Sequence, residues 1–197
     1  MNNNNGVTPF ILASSSPRRR ELLRQIGLDF TVVPAEVDER LLPGEAPENY
    51  ALRVALDKAR TSAALTKKGI IIAADTIVVL RKTILGKPAD AADAARMLGM
   101  LSGRMHRVIT AVAIRDASTG EQHTAVAVTR VWFRELSPEV IASYVVSGEP
   151  RDKAGAYGIQ EHGALFVERI DGCYFNVVGL PLSLLAELLA RFKVSIL

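Results

Sequence analysis

Apolar and polar positions divide the chain into short segments of both helical and strand periodicity. Phe10-Ile11-Leu12 is a brief apolar run. A hydroxyl-rich turn, Ala13 to Ser16, leads from it into a helix that starts at Pro17 and is stopped by Gly27. Phe30 to Val33 reads as a strand, and a helix is predicted from Pro47 to about Leu65, with Tyr50, Val54 and Leu56 among its apolar positions. Ile70 to Leu80 is a continuous apolar run rich in β-branched residues, the signature of a buried central strand, interrupted by one carboxylate, Asp75. Arg81-Lys82 turns it into Thr83-Ile84-Leu85, and Gly86-Lys87-Pro88 breaks the pattern. Asp90 caps a helix that runs to about Leu101.

Two longer strands are predicted, Arg107 to Arg115 and about Thr124 to Phe133, joined by turn residues 116–120. Ser137-Pro138 opens a helix ending near Gly148, and a glycine-rich stretch, Asp152 to Gln160, follows. Leu165 to Val167 and Tyr174 to Val178 are expected to pair as strands across an Asp171-Gly172 turn. A last helix is expected from Gly179-Leu180-Pro181 to about Phe192. The order predicts a mixed α/β fold in one domain, residues 10–197, behind a disordered polar tail, residues 1–9.

Composition agrees with a globular domain: 197 residues, 49% hydrophobic and 23% charged. No apolar run is long enough to span a bilayer, and the start resembles no secretory leader, so no membrane partner and a cytoplasmic location are expected. The one cysteine, Cys173, excludes an internal disulfide framework. Net charge is +3, but the only run of three basic residues is Arg18-Arg19-Arg20, with no aromatics between them. Small anions fit this distribution better than nucleic acid.

That arginine run sits where cations are disfavoured, in the first turn of a helix. With Ser16 as cap and Pro17 at the first helical position, free amides and guanidinium groups converge on the Ser14–Arg19 turn. They would hold a phosphate; the alternative is an ordinary helix start with solvated arginines. Asp75 has to be paired, metal-bound or at a cleft, because an isolated buried charge costs several kcal/mol. Glu36, Asp38 and Glu39 form either a solvated acidic loop or a second carboxylate source for a hard cation. Lys58 and Lys87 are candidate phosphate contacts, Lys87 being fixed between Gly86 and Pro88. Gln160 ends the glycine-rich run with an amide able to read a base edge.

Other chemistries drop out. There is no Walker-type phosphate loop, dinucleotide fingerprint or nucleophile elbow, and His106, His123 and His162 lack metal-ligand spacing. Trp132, Phe133 and Cys173 read as strand residues that pack rather than react.

Eight ordered blocks resemble the Maf (septum formation) family of nucleoside triphosphate pyrophosphatases. They are Leu12 to Arg19, Glu36 to Glu39, Lys58-Ala59, Ala74-Asp75-Thr76, Leu85 to Pro88, Leu101 to Arg104, Asp152 to Gln160 and Gly179 to Leu182. The resemblance implies a two-lobed mixed sheet flanked by helices, like that of the inosine triphosphate pyrophosphatases, with a central substrate cleft. It implies hydrolysis of a nucleoside triphosphate to monophosphate and pyrophosphate with a divalent cation, Mg or Mn, in a cytoplasmic homodimer. By position it makes Asp75 the proton acceptor and links Arg18, Thr76 and Gln160 to base preference. It places Ser16, Arg19, Glu39, Lys58 and Lys87 among the other active-site groups; chemistry and resemblance together assign Ser14, Ser16, Arg19, Lys58 and Lys87 to the phosphates and Glu39 to the metal beside Asp75.

The run Asp152 to Gln160 is similar to that of the subclass acting on dTTP and UTP, a house-cleaning activity linked to division arrest. Glu161-His162 departs from the pattern, where a glycine usually follows the glutamine. The competing readings are action on 7-methylguanosine triphosphate, a non-catalytic nucleotide sensor in septum formation, and nucleic-acid binding through the arginine helix.

Overall fold

The computed structural model describes residues 8–194 and 196. The expected disordered tail therefore lies outside the described residues, apart from Thr8 and Pro9. Strands β1 (Phe10–Leu12), β2 (Phe30–Val32), β3 (Ile70–Leu80), β4 (Thr83–Leu85), β5 (Met105–Asp116), β6 (Gln122–Phe133) and β7 (Val167–Asp171) form one seven-stranded mixed sheet. Its order is β2-β1-β3-β5-β6-β7, with β4 added to β3. The helices are α1 (Pro17–Gln25), α2 (Pro47–Thr66), α3 (Ala91–Leu101), α4 (Pro138–Val146), α5 (Tyr174–Val178) and α6 (Leu182–Arg191). None is long and apolar enough to cross a membrane.

Strand alternation distributes the core. Along β3, Ile71, Ala73, Ile77 and Val79 face α2, whose Ala51, Ala55, Ala59 and Ala63 let the helix lie close to the sheet. On the other face, Ile70, Ile72 and Ala74 join Leu22, Leu23, Leu185 and Leu188 from α1 and α6. Further along that same face, Val78 and Leu80 pack with Leu98 and Leu101 of α3, Phe133 and Phe166. Thr76 and Thr110, cross-strand neighbours, fall between these two apolar clusters.

The edge of β3 is shared unequally. β1 pairs in parallel with Ile70–Ile72, and β4 pairs antiparallel with Val78–Leu80. Residues 73–77 therefore have no strand neighbour on that side. Here β1 has turned away into α1, and a crevice opens at the switch in pairing, the usual location of a ligand site in an open α/β sheet. Asp75 and Thr76 stand in it, on opposite faces of the strand.

Two expectations are corrected. Tyr174–Val178 is a helix, not a strand paired across Asp171-Gly172; its expected partner residues Leu165 and Phe166 lie in a 3₁₀ turn, and β7, which starts at Val167, pairs instead with β6. The β-branched and aromatic composition suggested a strand, but packing overrides it. Asn176 is fully buried only because its amide donates to the Val108 carbonyl and Thr129 Oγ1, both 2.9 Å away. Gly172, at φ +124°, ends the strand where a Cβ would lie 2.8 Å from Thr129 Oγ1. Cys173 accordingly precedes a helix. Trp132 is not core: Phe133 is buried, whereas Trp132 is half-buried on the opposite face with the Arg169 guanidinium 3.9 Å from its ring.

Candidate active site

The crevice is a cleft of about 810 Å³. Residues from the α1 turn, the acidic loop, β3, the Gly86-Lys87 loop and the glycine-rich run all reach it. Ser14, Ser16, Arg18, Arg19, Glu39, Lys58, Asp75, Thr76, Lys87 and Gln160 all line this one cavity.

Ser16 caps α1 by accepting from the Arg19 amide, and Pro17 occupies the first turn. The arginines do not fan into solvent. Arg19 folds back under the turn and donates to Ser14 Oγ (3.1 Å), Thr76 Oγ1 (3.0 Å) and the Gly179 carbonyl (2.8 Å). Burial draws its pKa below the usual value, against the pull of the Asp75 charge. Thr76 Oγ1 in turn meets Thr110 Oγ1 at 2.9 Å, so Arg19 rests on the hydroxyl column between the two apolar clusters. Arg18 reaches across the cleft to Asp152, 3.0 Å away.

On the opposite face, α2 brings Lys58 Nζ to 2.8 Å from Asp75 Oδ1 and 2.7 Å from Glu39 Oε1. The Asp75 side chain is only 11% exposed, which the ammonium makes tolerable. Burial pushes the Glu39 carboxyl up, but the Lys58 contact outweighs it and holds the group below the usual carboxylate range, with Lys87 and Arg19 adding to the effect. Among the other acidic-loop residues, Asp38 turns to Arg40, whose hydrogen bonds hold it at about 2, and Glu36 lines the cleft.

Sequence reasoning missed the groups that fix this loop. Arg53 donates to the carbonyls of Asp38 and Arg40 and makes a two-pronged bond to Glu45 at 2.7 and 2.9 Å. Tyr50 donates to the Glu39 carbonyl at 2.8 Å; burial, then the charges of Asp75 and Glu39, push its phenol up to about 12. Both lie on α2 one turn or two before Lys58. Their helical spacing was the available signal, but a surface arginine looks the same in sequence.

Lys87 and the glycine-rich run belong to the other wall. The Gly155 amide donates to the Gly86 carbonyl at 3.0 Å. Gly155, at φ +68°, leaves no room for a side chain, since a Cβ would come within 2.8 Å of Val78. Gln160 is exposed at the rim.

For a cation, the described residues contain no cluster of three or more His, Cys, Asp or Glu side chains. Asp75 and Glu39 remain, two oxygen donors converging on one ammonium. That set fits a hard cation such as Mg²⁺, which commonly takes one or two carboxylates and completes its shell with water and phosphate oxygens.

Fold and site together define an α/β protein in which a serine-capped, arginine-bearing helix start faces a carboxylate–lysine centre across a cleft. The chain belongs to the Maf-like protein family, which matches residues 9–192. It is 55% identical to the dTTP/UTP pyrophosphatase of Syntrophomonas wolfei over 186 residues, 94% of this chain and 98% of that one. It is 50% identical to the dTTP/UTP pyrophosphatase of Moorella thermoacetica, covering 96% and 98%. In three dimensions it shares its fold with a HAM1 protein from Coxiella burnetii, at a TM-score of 0.55 and 18% identity, over 94% of this chain and all of that one.

Proposed function

We propose that this chain is a nucleoside triphosphate pyrophosphatase, a hydrolase that cleaves dTTP and UTP to the monophosphate and pyrophosphate. The observation that carries this reading is the position of Asp75: a carboxylate in the gap between β1 and β4, within one cavity with the α1 turn, Lys58 and Lys87. The names of the relatives in Syntrophomonas and Moorella support the substrate.

In this reading the positive end of α1, with Ser14, Ser16, Arg19 and Lys87, holds the triphosphate. Asp75 accepts a proton from the attacking water, or orients it, at the α-phosphorus. Lys58 holds the Asp75 carboxylate at a fixed rotamer through their 2.8 Å contact, and it supplies positive charge where negative charge accumulates as pyrophosphate leaves. Arg18, Thr76 and Gln160 govern base preference, Gln160 directly from the rim and Thr76 through Arg19. A divalent cation, Mg or Mn, held by Asp75 and Glu39 would supply Lewis-acid neutralisation of the phosphate oxygens. We further propose a cytoplasmic homodimer. The face of β6 that α2 leaves uncovered, where Val128 is 43% exposed, supports self-association.

The test is pyrophosphate release from dTTP, UTP, CTP and 7-methylguanosine triphosphate with and without Mg²⁺. Release much faster from dTTP and UTP than from CTP or the guanosine derivative is expected. Selective action on the guanosine derivative would move the chain to the other subclass, and no release from any substrate would favour a nucleotide sensor.

A further inference from the structure

Behind the glycine-rich wall lies a carboxylate that the mechanism above does not use. Glu149 opens the 3₁₀ turn Glu149–Asp152, faces away from the cleft, and has a side chain only 6% exposed. Its Oε1 accepts from Tyr144 Oη at 2.7 Å and from the Gly163 amide at 3.2 Å. Its Oε2 accepts from the His162 amide and lies 3.1 Å from His162 Nδ1. Tyr144 Oη, which donates to Glu149, also accepts from the Gly158 amide at 3.2 Å. The two side chains thus tie down both ends of the loop from Gly158 to Gly163, whose middle carries Gln160.

At both ends of the loop the packing admits only glycine. A Cβ on Gly163 would lie 2.4 Å from the Gly158 carbonyl oxygen, and one on Gly158 would lie 2.6 Å from Lys153 Cε. Lys153, itself buried, donates to the Glu149 carbonyl at 2.7 Å and lies 3.6 Å from Glu161. A buried carboxylate needs compensating donors. Apart from Tyr144, all of those on Glu149 come from this loop, so its desolvation is offset only when the loop is closed.

We infer that Glu149, together with Tyr144, is a positioning residue for base selection, setting the depth at which Gln160 meets the base from the rim of the cleft. This rests on the reading of Gln160 as the base-recognising group. Holding an exposed amide at one place lets the site reward a matching base edge and leave a mismatched one unpaired, which is how polar readout becomes discrimination. Glu161-His162, the departure from the family pattern, is then accommodated by the same clamp, since His162 binds it through both backbone and ring.

The experiment compares Glu149→Ala, Glu149→Gln and Tyr144→Phe with the wild-type chain. Readouts are kcat and KM for UTP and CTP, inhibition by inorganic tripolyphosphate, and amide exchange at Gly158 and Gly163. For Glu149→Ala the KM for UTP is expected to rise about tenfold with kcat nearly unchanged, the pattern of lost ground-state binding. The UTP preference over CTP should shrink, tripolyphosphate inhibition should hold, and both glycine amides should exchange faster. Glu149→Gln should fall between, because its carbonyl still accepts. Tyr144→Phe preserves the ring contact with Phe166 and keeps the test open should Glu149→Ala not fold. Unchanged base preference with faster amide exchange would overturn the inference, as would a kcat loss matched by weaker tripolyphosphate inhibition. Should the wild-type chain release no pyrophosphate from any nucleotide, the activity assignment fails separately. Calorimetric UTP and CTP binding in the same variants then decides the positioning role.

Discussion

Lys58 Nζ stands 2.8 Å from Asp75 Oδ1, and this contact ties the longest helix to the one carboxylate in the central strand. Both side chains are nearly buried, at 13% and 11% exposure, so neither ion is well hydrated without the other. Glu39 closes a triad from the loop above.

The first prediction concerns that contact. Lys58→Met leaves the nearly buried Asp75 unpaired and is expected to destabilise the fold by about 3 kcal/mol, the usual effect of removing one member of a buried pair. Adding Asp75→Asn should restore most of the loss. Urea denaturation of both singles and the double variant measures the coupling. Asp75→Asn alone should lower turnover at least about hundredfold, the scale of a lost general base, while nucleotide binding by calorimetry stays close to wild type.

Arg53 is expected to act through Glu39. Arg53→Lys cannot reproduce the fork that binds Glu45 and two carbonyls together. The acidic loop should loosen, so limited proteolysis between residues 36 and 45 should accelerate. Turnover should fall about tenfold while the melting temperature changes little, since a surface contact of this kind contributes at most about 1 kcal/mol.

His106 predicts a pH dependence of stability. It is buried against Phe133 and Tyr157, with Nε2 2.8 Å from Tyr157 Oη, and burial lowers its pKa to about 4. The unfolded chain then binds a proton that the folded one refuses between about pH 6.5 and 4, so stability falls as pH drops through that window. At pH 5 the loss relative to neutral pH is about 2 kcal/mol from this group. His106→Gln should lose less between pH 7 and 5 in urea titrations. Carboxylates held below their usual range, such as Glu149 and Glu39, lose their contribution only at lower pH, as the solution falls toward their folded-state values.

Much of this architecture was legible from periodicity. The run Ile70–Leu80 announced a central strand, and the Ser16-Pro17 pair and Asp90 announced helix starts, because each rests on local backbone chemistry. Tyr174–Val178 was misread since nothing local reveals that Thr129 and Val108 await the Asn176 amide. The site followed the same division. Asp75 was conspicuous as a charge in an apolar strand. Its pairing with Lys58 was not, because a helical lysine looks solvated until α2 is laid across the sheet. Arg53, Tyr144 and Glu149 stayed hidden because their roles lie in contacts made by folding.

The most direct measurement is hydrolysis of UTP in H₂¹⁸O, with both products analysed by mass. Water activated at Asp75 and attacking the α-phosphorus yields UMP carrying one labelled oxygen and unlabelled pyrophosphate. Label in pyrophosphate, release of inorganic phosphate in its place, or equal turnover by the Asp75→Asn variant would contradict the account.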